Sequence, residues 1–275
     1  MTMKKIILAF TLCFLSACSS SIETTDNTGA KKDRLNESPR HHEWVEIKNG
    51  DKTIYSWVVY PERNDNAPTV LVIHENRGLN DWARSLADQI AEAGYIAVAP
   101  DLLSSFSEKF TRTSDFADDD AARDALYTLD PVEVQSDLEA VAAFAKSIEA
   151  SNGKLATAGF CWGGAKSFEF ATKSQAADTV LVFYGTSPEN IEAYQNINVP
   201  VYGFYGGNDE RVNTTIDRAQ SAMQSSNLPF EVEIYDGAGH AYMRSGEDPN
   251  GEKANIEARN KSWNRMKEIL STLEQ

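Results

Sequence analysis

Lys154-Leu155-Ala156-Thr157-Ala158-Gly159-Phe160-Cys161-Trp162-Gly163-Gly164-Ala165 is the stretch that decides the fold. Lys154 to Gly159 reads as a buried strand and Cys161 to Lys173 as a helix, with no linker between them. So sharp a corner crowds side chains against neighbouring backbone, and small residues are needed two before and two after its apex. Gly159 and Gly163 fill those positions around Cys161. The apex would stand the sulfur over the sheet at a helix N-terminus, which favours a thiolate. A bare G-x-C-x-G match is weak, since a buried core cysteine fits it too; its place at a strand-to-helix junction makes it specific.

Outward from that corner the chain alternates strand and helix. Val45 to Ile47 and Thr53 to Tyr60 read as an opening antiparallel hairpin turned by Asn49-Gly50-Asp51. Thr69 to His74 and Tyr95 to Ala99 are continuous apolar runs, expected of strands covered on both faces. Between them Asn80 caps a helix whose Trp82, Leu86 and Ile90 form one stripe and which ends at Gly94. Asp130-Pro131-Val132-Glu133 opens another helix, with Val134, Leu138, Val141 and Ala145 as its stripe. Thr179 to Tyr184, Val199 to Tyr205 and Phe230 to Tyr235 are further strands. Val212 to Ser225 and a last segment carrying Trp263, Met266, Leu270 and Leu273 are further helices. This rhythm predicts one α/β domain over residues 43–275, a mostly parallel central sheet with helices on both faces.

Composition narrows the chemistry. The 275 residues, 41% hydrophobic, suffice for one large core. Three cysteines and four histidines, none in C-x-x-C or H-x-x-x-H spacing, give no disulfide framework and no structural zinc site. With 26 basic against 41 acidic residues the net charge is −15, which repels phosphate backbones and argues against nucleic acid as partner. The acidic runs Asp118-Asp119-Asp120 and Glu247-Asp248 read as solvated charges, so no metal and no cofactor is expected.

In open parallel sheets ligands bind beyond the carboxyl ends of the strands. Asp209 follows the strand that runs to Gly207; alone, it could merely close a turn after two glycines. His240 ends the small-residue loop Asp236-Gly237-Ala238-Gly239, and it is the only histidine after Cys161. Nucleophile, acid, then histidine is the chain order of the α/β-hydrolase triad. Cys161, Asp209 and His240 are therefore the expected catalytic residues. The loop His74-Glu75-Asn76-Arg77-Gly78-Leu79-Asn80 follows the first parallel strand, where this fold takes its second oxyanion donor. The backbone N–H groups of Asn76 and Trp162 are the expected pair.

His74-Glu75 with Gly78-Leu79-Asn80, the cysteine corner Gly159 to Gly164, Asp209, and His240 through Arg244 together resemble the dienelactone hydrolase family of α/β-hydrolases, over roughly Trp44 to the C-terminus. The resemblance implies hydrolysis of a small ester or lactone through a cysteine nucleophile and a thioester. It implies that Glu75 holds the resting thiol, and that Arg244 pairs with Glu75 and binds a substrate carboxylate. One departure bears on substrate. Members acting on dienelactone carry a second carboxylate-binding arginine shortly after a Pro-Asp-Leu segment. Here Pro100-Asp101-Leu102 runs into Leu103-Ser104-Ser105, and Lys109 and Arg112 are the next cations available. A thiol acyltransferase and a non-catalytic ligand-binding lipoprotein are the alternatives. Selective alkylation of Cys161 separates the second from an enzyme, and product analysis with an acyl acceptor separates the first.

Ahead of the domain, Lys4-Lys5 and the apolar run Ile6 to Leu15 form a signal-peptide pattern, roughly ten residues against the about twenty needed to span a bilayer. Leu15-Ser16-Ala17-Cys18 resembles the bacterial lipoprotein cleavage box. The expectation is a signal over residues 1–17, lipidation of Cys18 and a flexible tether over residues 18–42. The expectation is an exported bacterial lipoprotein, anchored to the outer membrane through the lipid on Cys18 and facing the periplasm. Without Lys4 and Lys5 the count is 24 basic against 41 acidic residues, a net of −17. His41 and His42, at the end of this polar stretch, read as solvated. No obligate protein partner is expected.

Overall fold

The computed structural model describes residues 34–224 and 230–274. The signal segment, Cys18 and most of the tether lie outside the described residues. Eight strands form one sheet: β1 (His42–Asn49), β2 (Lys52–Val59), β3 (Ala67–Ile73), β4 (Ile96–Pro100), β5 (Ser151–Phe160), β6 (Thr179–Phe183), β7 (Val201–Gly206) and β8 (Phe230–Tyr235). Their order is β1-β2-β4-β3-β5-β6-β7-β8. The first two pairings, β1 with β2 and β2 with β4, are antiparallel, and all later ones are parallel. The hairpin turns at Gly50-Asp51, with Asn49 opposite Lys52.

The helices are α1 (Asp81–Glu92), α2 (Asp119–Leu126), α3 (Pro131–Ser147), α4 (Trp162–Ala171), α5 (Glu210–Asn213), α6 (Ile216–Met223), α7 (Tyr242–Ser245) and α8 (Lys253–Ser271). Alternation along the fully buried β3 shows how they divide. Val70 and Val72 face a core shared with Trp82, Leu86 and Ile90 of α1 and Met266 and Leu270 of α8. Leu71 and Ile73 face the opposite core, with Val134, Leu138 and Val141 of α3, Phe168 of α4 and Ile216 of α6. A strand with period two buries both sets only when each face is covered, so the uninterrupted apolar runs follow from the two-sided architecture. Asn80 and Asp130 cap α1 and α3 through their side chains, to the N–H groups of Ala83 and Val132.

Three differences from the sequence reading have physical causes. The segment read as Val212 to Ser225 begins as α5 and resumes as α6, with Thr215 between them, its hydroxyl bonded to the Val212 carbonyl. Asp118 caps α2, a helix too short to have shown a periodic stripe. The tether was expected to run free to residue 42, yet the described part of it is docked. Residues 34–37 form a helical turn, and Arg40 is buried against Asp88 of α1 through two hydrogen bonds of 2.9 and 2.7 Å. Ser38 adds a 2.5 Å bond to the same carboxylate. Burial works to raise the Asp88 pKa, but these bonds outweigh it and hold the carboxyl below its usual range. His42 belongs to β1, its ring 4.7 Å from that of Trp57. Composition hid this docking because it depends on one arginine meeting one acid 48 positions on.

Candidate active site

The corner after β5 has the geometry its glycines require. Cys161 sits at φ 56°, ψ −114°, a backbone region that L-residues rarely adopt, and α4 starts at the next residue. A Cβ on Gly159 would lie 1.9 Å from the Gly163 carbonyl oxygen, and one on Gly163 would lie 2.2 Å from that of Ile73. Neither position admits a side chain. The strain therefore falls on Cys161, whose N–H is fixed 3.0 Å from the Phe183 carbonyl.

Two further strand ends meet the sulfur. Asp209 follows β7, and His240 ends the loop after β8; the Asn208 N–H bonds the Ala238 carbonyl at 2.9 Å and ties the two loops together. His240 Nε2 is 3.1 Å from Cys161 Sγ, and its Nδ1 is 2.5 Å from Asp209 Oδ2. The Asp209 carboxylate is 6% exposed, so its charge acts on the ring with little screening. Burial disfavours the imidazolium, but the bonds to Asp209 and Cys161 and their charges outweigh it and push the His240 pKa up to about 9. The ring is thus positioned to hold a proton beside the sulfur at neutral pH.

Glu75 lies in the loop after β3, 4% exposed. Its carboxylate accepts from Arg244 Nε at 2.9 Å and from the Tyr184 hydroxyl at 3.2 Å. The pairing with Arg244 is the one the resemblance implied. Arg244 and Tyr184 each take one of its two oxygens, and the hydrogen-bond partner of Cys161 Sγ is His240 Nε2. Tyr184 was missed as a site residue because it reads as the last residue of an apolar strand. Its signal was positional, one residue beyond β6 at the same sheet edge as the others. Tyr184, Cys161 and Ala241 are three of four non-glycine residues with positive φ among the described residues, and all three lie at this site.

His74, beside Glu75, is structural. Its Nε2 accepts from the Leu102 N–H at 3.2 Å, which leaves the proton on Nδ1 to donate to the Glu75 carbonyl at 2.8 Å. Burial pushes its pKa down to about 4. Among the described residues, neither the Asn76 nor the Trp162 backbone N–H is donated to another backbone group outside its own element. Glu75, Asn76, Cys161, His240 and Arg244 line a cavity of about 440 Å³, joined by Tyr127 and Arg211. No group of metal-ligating side chains occurs among the described residues, and no helix there is long and apolar enough to cross a membrane.

Known proteins resemble this chain in sequence and fold. A Methylorubrum extorquens relative is 29% identical over 209 residues, covering 72% of this chain and 71% of its own. The carboxymethylenebutenolidase of Pseudomonas putida is 27% identical over 208 residues, covering 74% of this chain and 86% of its own. Among solved structures, a dienelactone hydrolase-like promiscuous phosphotriesterase from metagenomic libraries superimposes with a TM-score of 0.71 at 22% identity, over 85% of this chain and 98% of that one. The family model described as "Dienelactone hydrolase family" matches residues 54–273, which is most of the domain from β2 to the C-terminal helix, and the chain belongs to that family.

Proposed function

We propose that this hydrolase cleaves a small carboxylic ester or lactone with Cys161 as nucleophile, His240 as acid and base, and Asp209 as the carboxylate that orients and stabilises the imidazolium. The observation that carries the reading is the continuous chain from Sγ to Nε2 at 3.1 Å and from Nδ1 to Oδ2 at 2.5 Å. The substrate carbonyl oxygen sits between the Asn76 and Trp162 N–H groups. Each donor of this kind contributes about 3 kcal/mol to transition-state stabilisation. Cys161 sulfur, its proton on His240, attacks the carbonyl carbon. The tetrahedral intermediate collapses to a thioester as His240 gives its proton to the leaving oxygen. Water, deprotonated by His240, then releases the acid and restores the thiol. Arg244, held by Glu75, lies in the cavity wall where it can meet a substrate carboxylate.

The lipobox-like Leu15 to Cys18 supports export and lipid anchoring at Cys18. Mass analysis of the mature N-terminus tests that separately; an unprocessed Met1 refutes it. The catalytic reading is tested by mass spectrometry during turnover of phenyl acetate. A 42 Da adduct is not needed in steady state if a rapid quench traps it: the expected result is acetylation mapped to Cys161, with no turnover in Cys161→Ala. Cys161→Ser should turn over poorly, because the less acidic hydroxyl is weakly activated. Full esterase activity in Cys161→Ala overturns the assignment.

A further inference from the structure

Asn255 is the third residue of α8, 9% exposed, and follows the N-cap residue Glu252. At that position a polar side chain commonly turns back to cap the helix's own end. Asn255 directs its oxygen elsewhere, and Glu252 makes no side-chain cap. The Asn255 Oδ1 accepts from the backbone N–H of Gly239, 16 positions earlier, at 2.9 Å.

That N–H and the Ala238 carbonyl belong to one planar peptide unit. The carbonyl accepts from the Asn208 N–H at 2.9 Å, and Asn208 immediately precedes Asp209. The peptide is therefore clamped between the loop of the acid and the C-terminal helix, and His240 is the next residue along. The backbone of Asn255 lies against a second point of the same segment. A Cβ on Gly246 would collide with the Asn255 carbonyl oxygen, so only glycine allows so close an approach there. Residues 239–246, which carry both His240 and Arg244, are thus held at their two ends by a single residue of α8. Between those ends Ala241 has φ 59°, a left-handed conformation that a non-glycine residue keeps only where its surroundings enforce it.

We propose that Asn255 is a positioning residue for the hydrolytic reaction: by holding the Ala238–Gly239 peptide against the loop of the acid, it sets the His240 ring between Cys161 and Asp209. It is not among the residues that line the catalytic cavity, so it acts through His240 and not on the substrate. A ring bonded to sulfur on one side and carboxylate on the other has little tolerance, since a misplacement of about 1 Å can cost about 100-fold in rate. The inference rests on the triad reading given above.

The test is steady-state hydrolysis of phenyl acetate, with rates expressed per folded molecule. Asn255→Leu keeps the bulk of the side chain and removes the acceptor. It should lower kcat about tenfold or more while KM stays within about twofold. Asn255→Asp keeps an acceptor, and a carboxylate is favoured in the first turn of a helix, so it should recover kcat to within about threefold of the unaltered protein. Ser262→Ala is the control for simple loosening: it removes the 2.7 Å bond between Ser262 of α8 and the Tyr242 hydroxyl without touching the 238–239 peptide. It should lower the melting temperature and leave kcat within about twofold. Should Asn255→Leu not fold, Asn255→Ser, too short to reach the Gly239 N–H, takes its place with the same expectation. An unchanged kcat in the variant lacking the acceptor overturns the inference, as does Asn255→Asp being equally slow or Ser262→Ala losing as much kcat. Full activity in Cys161→Ala overturns the triad reading instead, and this inference with it.

Discussion

Replacing Asp209 by Asn keeps the size and hydrogen-bond geometry at His240 Nδ1 and removes one charge, which makes it the sharpest probe of the proposed chemistry. In the intact protein the His240 pKa lies at about 9 against an ordinary 6.5, so about 90% of the ring is imidazolium at pH 8. Asp209 is the first of the groups that raise it. If the whole shift were lost, the imidazolium would fall to about 3% at pH 8 but remain at about three-quarters at pH 6. The ratio of kcat/KM at pH 8 to that at pH 6 should therefore stay near one in the unaltered protein and fall by up to about 25-fold in Asp209→Asn, Cys161 retaining part of the shift. Initial rates on phenyl acetate across pH 6 to 9 read this ratio, and the His240 ring resonances follow the titration itself. A variant whose His240 midpoint stays near 9, or whose rate ratio matches the unaltered protein, would refute the view that Asp209 holds the proton on the ring.

Two other predictions concern the scaffold. Gly163→Ala places a Cβ 2.2 Å from the Ile73 carbonyl oxygen, backbone that cannot give way without moving β3; a thermal melt should show a large loss of stability or no soluble protein, and an unchanged melt would contradict the corner's geometry. His74 and Asp101 should oppose each other in acid. His74 has its folded pKa lowered to about 4, so stability is lost as pH falls from 6.5 through 4, by about 3 kcal/mol. Asp101, buried and raised to about 6, binds its proton more tightly when folded and so regains about 3 kcal/mol as pH falls from 6 through 3.8. Urea unfolding at pH 7 and 4 should show His74→Gln losing less stability on acidification than the unaltered protein, and Asp101→Asn losing more; equal losses in all three would sink the pairing.

Much of the site was legible in sequence because it is a property of strand ends. Gly159, Gly163 and the abrupt change from strand to helix period located Cys161, and chain order located Asp209 and His240. Tyr184 was not legible, since a tyrosine at the end of an apolar run looks like core until the sheet places it beside Glu75. The contacts of Glu75 were only half legible: its loop and its pairing with Arg244 were expected, whereas Tyr184 on its other oxygen is a tertiary contact 109 positions away. Arg112 shows the same limit. Sequence offered it and Lys109 as equal candidates, and that its guanidinium lies over Tyr55 at 4.2 Å and Trp44 at 4.8 Å depends on tertiary packing.

The docking of residues 34–42 determines where the protein can be trimmed. A domain boundary drawn at residue 43, as composition suggests, would remove Arg40 and Ser38, which bond Asp88 of α1 and help cover it, and would uncover that carboxylate and the surface beneath them. Hydrogen bonds to a charged group typically contribute about 1.5–3 kcal/mol, a sizeable share of the total stability of an ordinary domain. A protein cut there should melt markedly lower than one starting at residue 34. The stretch that looks dispensable is a latch, and anyone shortening this enzyme for crystallisation or assay should keep it.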